Sequence, residues 1–177
     1  PGEALFPDGA AALYRKAMLD ALGGFDERFF AYGDDCDLGL RGRLAGWRCA
    51  YVPAAVVLHV HSATAGEYSA LKARLIERNR IWVLVKHFPL PLVLVSPLFT
   101  AIRVAAHAAG ALLGIGLSGR FAGAVGRLTL AAAMLRAWAE ALAGLPGVWR
   151  TRRSGGRDLV RLLLRHRASL WSVTLGP

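Results

Sequence analysis

Residues 24–41, GFDERFFAYGDDCDLGLR, hold the densest group of acids in the chain: Asp26, Glu27, Asp34, Asp35 and Asp37. Phe29, Phe30 and Tyr32 lie between the two acid groups, and Gly33 leads into a helical pattern. Neighbouring carboxylates at a helix start can hold a divalent cation or take a proton from a hydroxyl. The helix dipole favours the charged form of such a pair, and each carboxylate opposes ionisation of the other. The alternative is an acidic first turn that only caps the helix. A second candidate group is His59 and His61, which alternate along a β-rich run and so point to one face. They could complete a carboxylate–metal site, or they could be histidines bonded to backbone. The third group is Glu77, Arg78, Asn79, Arg80 and Trp82. Its arginines could grip phosphate oxygens, and its tryptophan could stack on a sugar or anchor at a lipid interface. Read blandly, the group is a basic helix face.

The elements that must position these groups follow in order. Residues 10–15, AAALYR, suit a short buried strand or an extended segment. Residues 15–22 have helical spacing and stop at Gly23-Gly24. A helix opens at 33–37, with Asp37 and Arg41 spaced to pair on its surface, and Gly46 ends it. WRCAYV (47–52) and AVVLHVH (55–61) read as strands separated by Pro53. A helix from about 67 to 87 runs up to Phe88-Pro89.

Charge divides the chain. Residues 1–86 carry 11 basic and 10 acidic side chains, and residues 87–177 carry 11 arginines against Glu140 and Asp158, so nearly all of the net +10 lies in the second half. That half suits an anionic membrane surface, and nothing in it has the basic–aromatic pattern of a nucleic-acid binder. Phe88–Ile102 is uncharged, as is Val104–Gly119 apart from His107, but each run is shorter than the roughly 18–20 residues of a spanning helix. Pro89, Pro91 and Pro97 favour a bent or re-entrant segment. Joining the runs would place Arg103 near mid-bilayer at about 2.5–3.5 kcal/mol. Helices lying in the interface are therefore expected over 88–177, including 156–168 with its Arg157, Arg161 and Arg165 stripe.

Cys36 and Cys49 form neither a disulfide framework nor a metal pair by spacing, which points to a reducing compartment. The chain opens PGEALFPDG, without an initiator Met or signal-peptide pattern, and is expected to be a piece of a longer polypeptide.

Four blocks, DGAAALYRKAML, GGFDERFFAYGDDCDLGLRGRLAGW, YVPAAVVLHVHSAT and ERNRIWVLVKHFP, occur in this order within the first 89 residues. Together they resemble the C-terminal, acceptor-side half of bacterial family-2 glycosyltransferases of the GT-A fold, in particular the rhamnosyltransferase-like branch. The resemblance implies an α/β fold over residues 1–87, followed by apolar, basic, membrane-associated helices over 88–177. It implies inverting transfer of a sugar from a nucleotide-sugar donor to a hydroxyl of a polyprenyl- or lipid-linked glycan. Asp35, second of the acidic pair, would be the base, with Asp34 standing where a glutamate is usual. Phe29, Phe30, Tyr32 and Trp82 would shape the acceptor cleft, and Gly9, Arg78 and Arg80 would bind donor phosphate. His59 would help hold Mg2+ or Mn2+. The nucleotide-binding half with its Asp-x-Asp motif is missing, so the isolated chain is expected to be inactive. The expected location is the cytoplasmic face of a bacterial inner membrane. Two rival expectations are a metal-dependent hydrolase built on Asp34, Asp35 and His59, and a non-catalytic membrane-surface module.

Overall fold

A computed structural model describes residues 2–60 and 66–166. The described residues are mostly helical. Strand β1 (Gly2–Glu3) pairs antiparallel with β2 (Ala50–Tyr51), Gly2 opposite Tyr51 and Glu3 opposite Ala50. Helix α1 (Lys16–Leu22) ends at Gly23, whose φ of +77° is the left-handed cap that glycine supplies without strain. Helix α2 (Asp34–Leu44) starts behind Gly33 at φ +90°. Helix α3 (Ala70–His87) is capped by Ser69 Oγ, which accepts from Lys72 N. The second half forms α4 (Leu90–Leu113), α5 (Gly116–Val125), α6 (Arg127–Arg150) and α7 (Gly156–Arg165).

The core joins both halves of the chain. Phe29, Trp82, Ala141 and Val148 form one buried cluster, with Phe29 and Trp82 edge to face at 5.7 Å between ring centres. Helix α6 turns small residues to α3: Ala137, Ala141 and Gly144 recur every third or fourth position. A Cβ at Gly144 would lie 2.4 Å from Trp82 Cζ2, so the glycine is what lets the indole seat. Trp82 Nε1 donates to Ala141 O at 3.0 Å. Glu140 of α6 is salt-bridged to Arg74 and Arg78 of α3. Packing thus crosses the 87/88 boundary, because the apolar face of α3 is completed by α6.

Several expectations change here. The α/β layering is not assembled from the described residues, which carry one two-stranded ladder. The 47–52 run does contain β2, but residues 55–60 are extended without a ladder. They are also exposed, Val56 at 81% and Leu58 at 97%. A strand needs a neighbour to satisfy its backbone, and no described strand reaches this run. Of the two readings of residues 10–15 the extended segment is found and the buried strand is not: a 3-10 turn (Gly9–Ala11) leads into it, with Leu13 exposed and Tyr14 half-buried.

Residues 90–113 are neither broken nor re-entrant; α4 is continuous for 24 residues. Pro91 sits in its first turn, where an N–H is not needed. Pro97 cannot donate to Val93 O, and Ser96 Oγ takes that carbonyl at 2.7 Å, which keeps the helix running. Helices α4 and α6 are both long and apolar enough to cross a membrane by length and composition.

Candidate active site

Asp35 is the second residue of α2, and its carboxylate faces a cleft of about 650 Å³. Oδ2 accepts from Gly9 N at 2.9 Å and Oδ1 from Cys36 N at 2.7 Å. A Cβ at Gly9 would stand 3.4 Å from Asp35 Oδ2, an ordinary contact, so the approach does not itself require glycine. Asp8 holds the same turn by accepting from Ala10 N. The charged part of the lining is Asp8, Asp35 and Arg80. Ile76, Val83, Leu84 and Phe88 supply its apolar part, the first three from α3, which also carries Arg80.

The turn before Asp35 is strained. Phe30 has φ +64° and ψ −60°, and Ala31 N donates to Phe29 O at 2.8 Å, which is a γ-turn of the rare kind. Tyr32 is also left-handed, at φ +65°. Helix α3 holds this turn. Asn79 Nδ2 lies 3.0 Å from Phe29 O, 2.7 Å from Ala31 O and 2.7 Å from Tyr32 O. Arg78 Nη2 donates to Phe29 O at 2.8 Å, and its Nε to Asn79 Oδ1 at 2.9 Å. Strained backbone kept in place by several independent bonds is typical of functional turns.

A second clamp lies beneath. Asp37 is wholly buried. Its Oδ1 meets Lys86 Nζ at 2.7 Å and His87 Nε2 at 2.8 Å, and its Oδ2 accepts from Arg41 Nε at 2.9 Å. Lys86 also reaches Asp26 Oδ2 at 2.7 Å, and Arg41 donates to the carbonyls of Leu22 and Gly24. Burial opposes ionisation of Asp26 and Asp37. The bonds to Arg28 and Lys86 for Asp26, and to His87 and Lys86 for Asp37, outweigh it and hold both below the usual carboxylate range. Glu77, buried on the far face of α3, accepts from Arg80, Arg103 and Trp138. Burial pushes its carboxyl up, and the bonds from Arg80 and Trp138 outweigh that and lower it.

The electrostatics around Asp35 are negative. Burial, then the charges of Asp35 and Asp34, push the Tyr14 hydroxyl up to about 12. Burial, then Asp35 and Asp37, push the Cys36 thiol up to about 12. Burial raises the Asp34 carboxyl, against bonds from the backbone N–H groups of Asp34 and Asp35.

The expected site residues divide accordingly. Asp35, Tyr32 and Arg80 are brought together on the cleft, while Asp34 stands half-buried beside it without lining it. Arg80 is partly engaged by Glu77 and by Thr100 Oγ1. Gly9 is on hand, but its N–H serves Asp35 rather than a phosphate. Phe29 does not line the cleft; it is fully buried, because the γ-turn sends it inward and Phe30 outward at 77% exposure. Trp82 is likewise core. Arg78 is spent on loop carbonyls and on stacking over Trp82 at 4.4 Å. The Asp37–Arg41 pair is interior, not on the surface.

His59 is exposed in the 55–60 segment, and His61 lies outside the described residues. Among the described residues no three His, Cys, Asp or Glu side chains converge to hold a metal. The donor set expected for Mg2+ or Mn2+ is therefore not assembled among the described residues. Cys36 and Cys49 are both free thiols.

Asn79, Asp26, Lys86 and His87 were not singled out as a support for the turn. The available signal was two titratable residues, Lys86-His87, closing the apolar run Ile81–Val85. A charged pair in such a run is seldom buried without partners.

Residues 1–83 match the family model described as "Glycosyltransferase like family 2". A 58-residue stretch is 47% identical to an N-acetylglucosaminyl-diphospho-decaprenol L-rhamnosyltransferase of Mycobacterium tuberculosis, in strain CDC 1551 / Oshkosh and in strain ATCC 25618 / H37Rv alike. The stretch covers 33% of this chain and 19% of each relative, so the matched segment spans about a fifth of their length. No solved structure gives a significant match. Asp35 on its cleft, the braced turn before it and Arg80 on the same cleft all fall inside the matched region, and residues 1–83 resemble a segment of a family-2 glycosyltransferase.

Proposed function

We propose that this segment supplies the acceptor-side half of a glycosyl-transfer site. The sugar comes from a nucleotide-sugar donor, and the acceptor is a hydroxyl of a lipid-linked glycan. The observation that carries the proposal is the Asp35 carboxylate, fixed by two backbone N–H groups at the edge of an open cleft. A positioned carboxylate beside a bound hydroxyl serves as general base. Asp35 takes the acceptor proton, the freed oxygen attacks the anomeric carbon from the face opposite the leaving group, and the nucleoside diphosphate departs with inversion. The mycobacterial relatives support the lipid-linked acceptor, since they are N-acetylglucosaminyl-diphospho-decaprenol rhamnosyltransferases. The apolar lining of Ile76, Val83, Leu84 and Phe88 suits the same acceptor class. Arg80, which lines the same cleft, would face the phosphates of donor or acceptor. Divalent-metal use is proposed from the family alone.

The donor half of the site lies, in this proposal, outside the described residues. The isolated 177-residue chain is expected to transfer nothing. Residues 88–177 hold the enzyme on the cytoplasmic leaflet of the inner membrane.

The test uses the natural full-length polypeptide that carries this segment. Asp35→Asn should lower sugar transfer to a polyprenyl-linked acceptor by at least about a hundredfold. Transfer at the unmutated rate removes Asp35 as base. Release of free sugar in the absence of acceptor points to hydrolysis instead.

A further inference from the structure

Helix α4 is amphipathic inside out. Ser96, Thr100, Arg103 and His107 recur at intervals of four, three and four residues and so share one face. That polar face is turned toward the protein. Arg80 donates to Thr100 Oγ1 at 3.3 Å, Arg103 is bonded to Glu77, and His107 Nδ1 lies 2.6 Å from Ser118 Oγ of α5. The opposite face carries Leu94, Leu98, Ile102, Ala105, Ala109 and Leu112. No residue of α4 is buried, and Leu94, Leu98 and Ile102 are 71%, 62% and 59% exposed. A helix on a water-soluble domain turns its apolar stripe inward. This one turns it outward over about 27 Å from Leu94 to Leu112, and a continuous apolar surface of that length marks a contact with membrane or partner.

Two features identify the occupant as lipid. The polar stripe is already consumed by Glu77, Arg80 and Ser118, so α4 offers an outside partner only hydrocarbon-compatible groups. Cations also gather at its C-terminal end: Arg127 donates to the carbonyls of Ala111 and Leu112, and Arg120 lies on the adjoining α5. They belong to the half of the chain that carries 11 arginines against 2 acids. Apolar face and arginines together complement acyl chains and anionic headgroups.

The polar stripe also sets the orientation. Arg103, near the middle of α4, shares Glu77 with Arg80, and Arg80 lines the same cleft as Asp8 and Asp35. Were α4 to span the bilayer, these charges and the cleft would lie at mid-bilayer depth, where each ionised group is costly. Lying in the plane, α4 keeps them on the aqueous side. Phe88, on the cleft wall, immediately precedes α4 and Pro89.

We propose that α4 lies in the plane of an anionic membrane, its Leu94–Leu98–Ile102 face among the acyl chains, with the Asp35 cleft opening at headgroup level. This deepens the membrane association proposed above and is independent of the chemistry assigned to Asp35.

The test floats the full 177-residue chain with vesicles of equal phosphatidylcholine and phosphatidylglycerol. The wild type should bind, and Leu98→Glu with Ile102→Glu should weaken partitioning at least about tenfold. Circular dichroism should be unchanged, since both sites are exposed. Spin labels placed singly at 94, 98, 102 and 109, in a Cys36→Ser, Cys49→Ser background, should all report one shallow depth. No binding by the wild type overturns membrane association itself. Binding unchanged by the glutamates, or a dimer that they dissolve while vesicle binding persists, overturns the role of this face. A depth gradient along the four labels overturns the in-plane orientation.

Discussion

Lys86 Nζ lies 2.7 Å from Asp37 Oδ1, with the lysine 2% exposed and the aspartate fully enclosed. Forty-nine residues separate them in sequence, and the pair fastens the C-terminal end of α3 to the first turn of α2, two residues from Asp35. Removing one member leaves the other charge buried with fewer partners, which costs several kcal/mol. Asp37→Asn should therefore lower unfolding free energy by about 3 kcal/mol at pH 7, as measured by urea denaturation. An unchanged urea midpoint would mean that the ion pair contributes nothing net.

The same clamp sets an acid limit. Asp26 and Asp37 are held below their ordinary value of 3.8 in the folded chain. A depressed carboxylate contributes stability that is fully present above the unfolded value and is lost as pH falls through the folded one. Urea stability should thus be steady from neutral pH down to about 4 and fall below it. In Asp37→Asn the acid slope should be shallower, since one of the two coupled carboxylates is gone. An identical slope in both proteins assigns the acid loss elsewhere.

Asn79 is the strut of the strained turn. Its amide has two hydrogens and three carbonyls within 3.0 Å, so at most two are served at once, while Arg78 and Ala31 N share the load on Phe29 O. Asn79→Ala should destabilise by about 2 kcal/mol through buried carbonyls left short of donors. It should also speed amide exchange at Ala31. Asn79→Asp has the same shape but no donors, and sets a carboxylate against three carbonyl oxygens. It should be at least as damaging. A near-neutral Asp variant would show that the side chain only fills space.

These supports explain which parts of the fold were legible in the sequence. The stop at Gly23, the start of α2 and the span of α3 follow from local signals: a left-handed glycine, an acidic first turn, and a serine cap. The α2–α3 clamp does not, because its chemistry depends on side chains about fifty residues apart. Glu77, Asn79, Lys86 and His87 look like a solvated polar face in one dimension, and become interior against different neighbours: Glu77 against Arg103 and Trp138, Asn79 against the strained turn, Lys86 and His87 against Asp37. Phe29 and Phe30 are indistinguishable by type; a single γ-turn decides which one enters the core. The continuity of α4 through Pro97 depended on Ser96 serving Val93 O, a local bond that helix-breaking rules for proline do not anticipate. The position of Asp35 in the first turn of α2 was legible because Gly33 and the acidic run mark the helix start.

The α3–α6 contact can be tested at one atom. A methyl at Gly144 would stand 2.4 Å from Trp82 Cζ2 and 2.8 Å from Cε2, closer than any carbon contact tolerates. The indole is pinned from the other side by Phe29 and by its bond to Ala141 O. Gly144→Ala should therefore cost about 2 kcal/mol, although alanine is the better helix former. The loss should appear as a lower thermal midpoint and as altered tryptophan emission. A stabilised Gly144→Ala protein would mean that α6 can slide on α3 without loss.

Cys36 gives a readout of the cleft that needs neither donor nor acceptor. Its thiol lines the cleft beside Asp35, and burial followed by the charges of Asp35 and Asp37 pushes it up to about 12. The thiolate is the reactive form, so at pH 8 its population should be roughly a thousandfold below that of an ordinary cysteine. Alkylation of Cys36 by iodoacetamide, followed by peptide mass spectrometry, should be at least about a hundredfold slower in the folded chain than in urea. Asp35→Asn removes one of the neighbouring negative charges, and the folded-state rate at Cys36 should then rise while Cys49 is unaffected. Because this measurement follows the charge beside the thiol rather than turnover, it separates a misplaced Asp35 from a well-placed one that is merely idle. If the Cys36 rate is the same with Asp35 and with Asn, burial alone holds the thiol up and the Asp35 charge does not reach it.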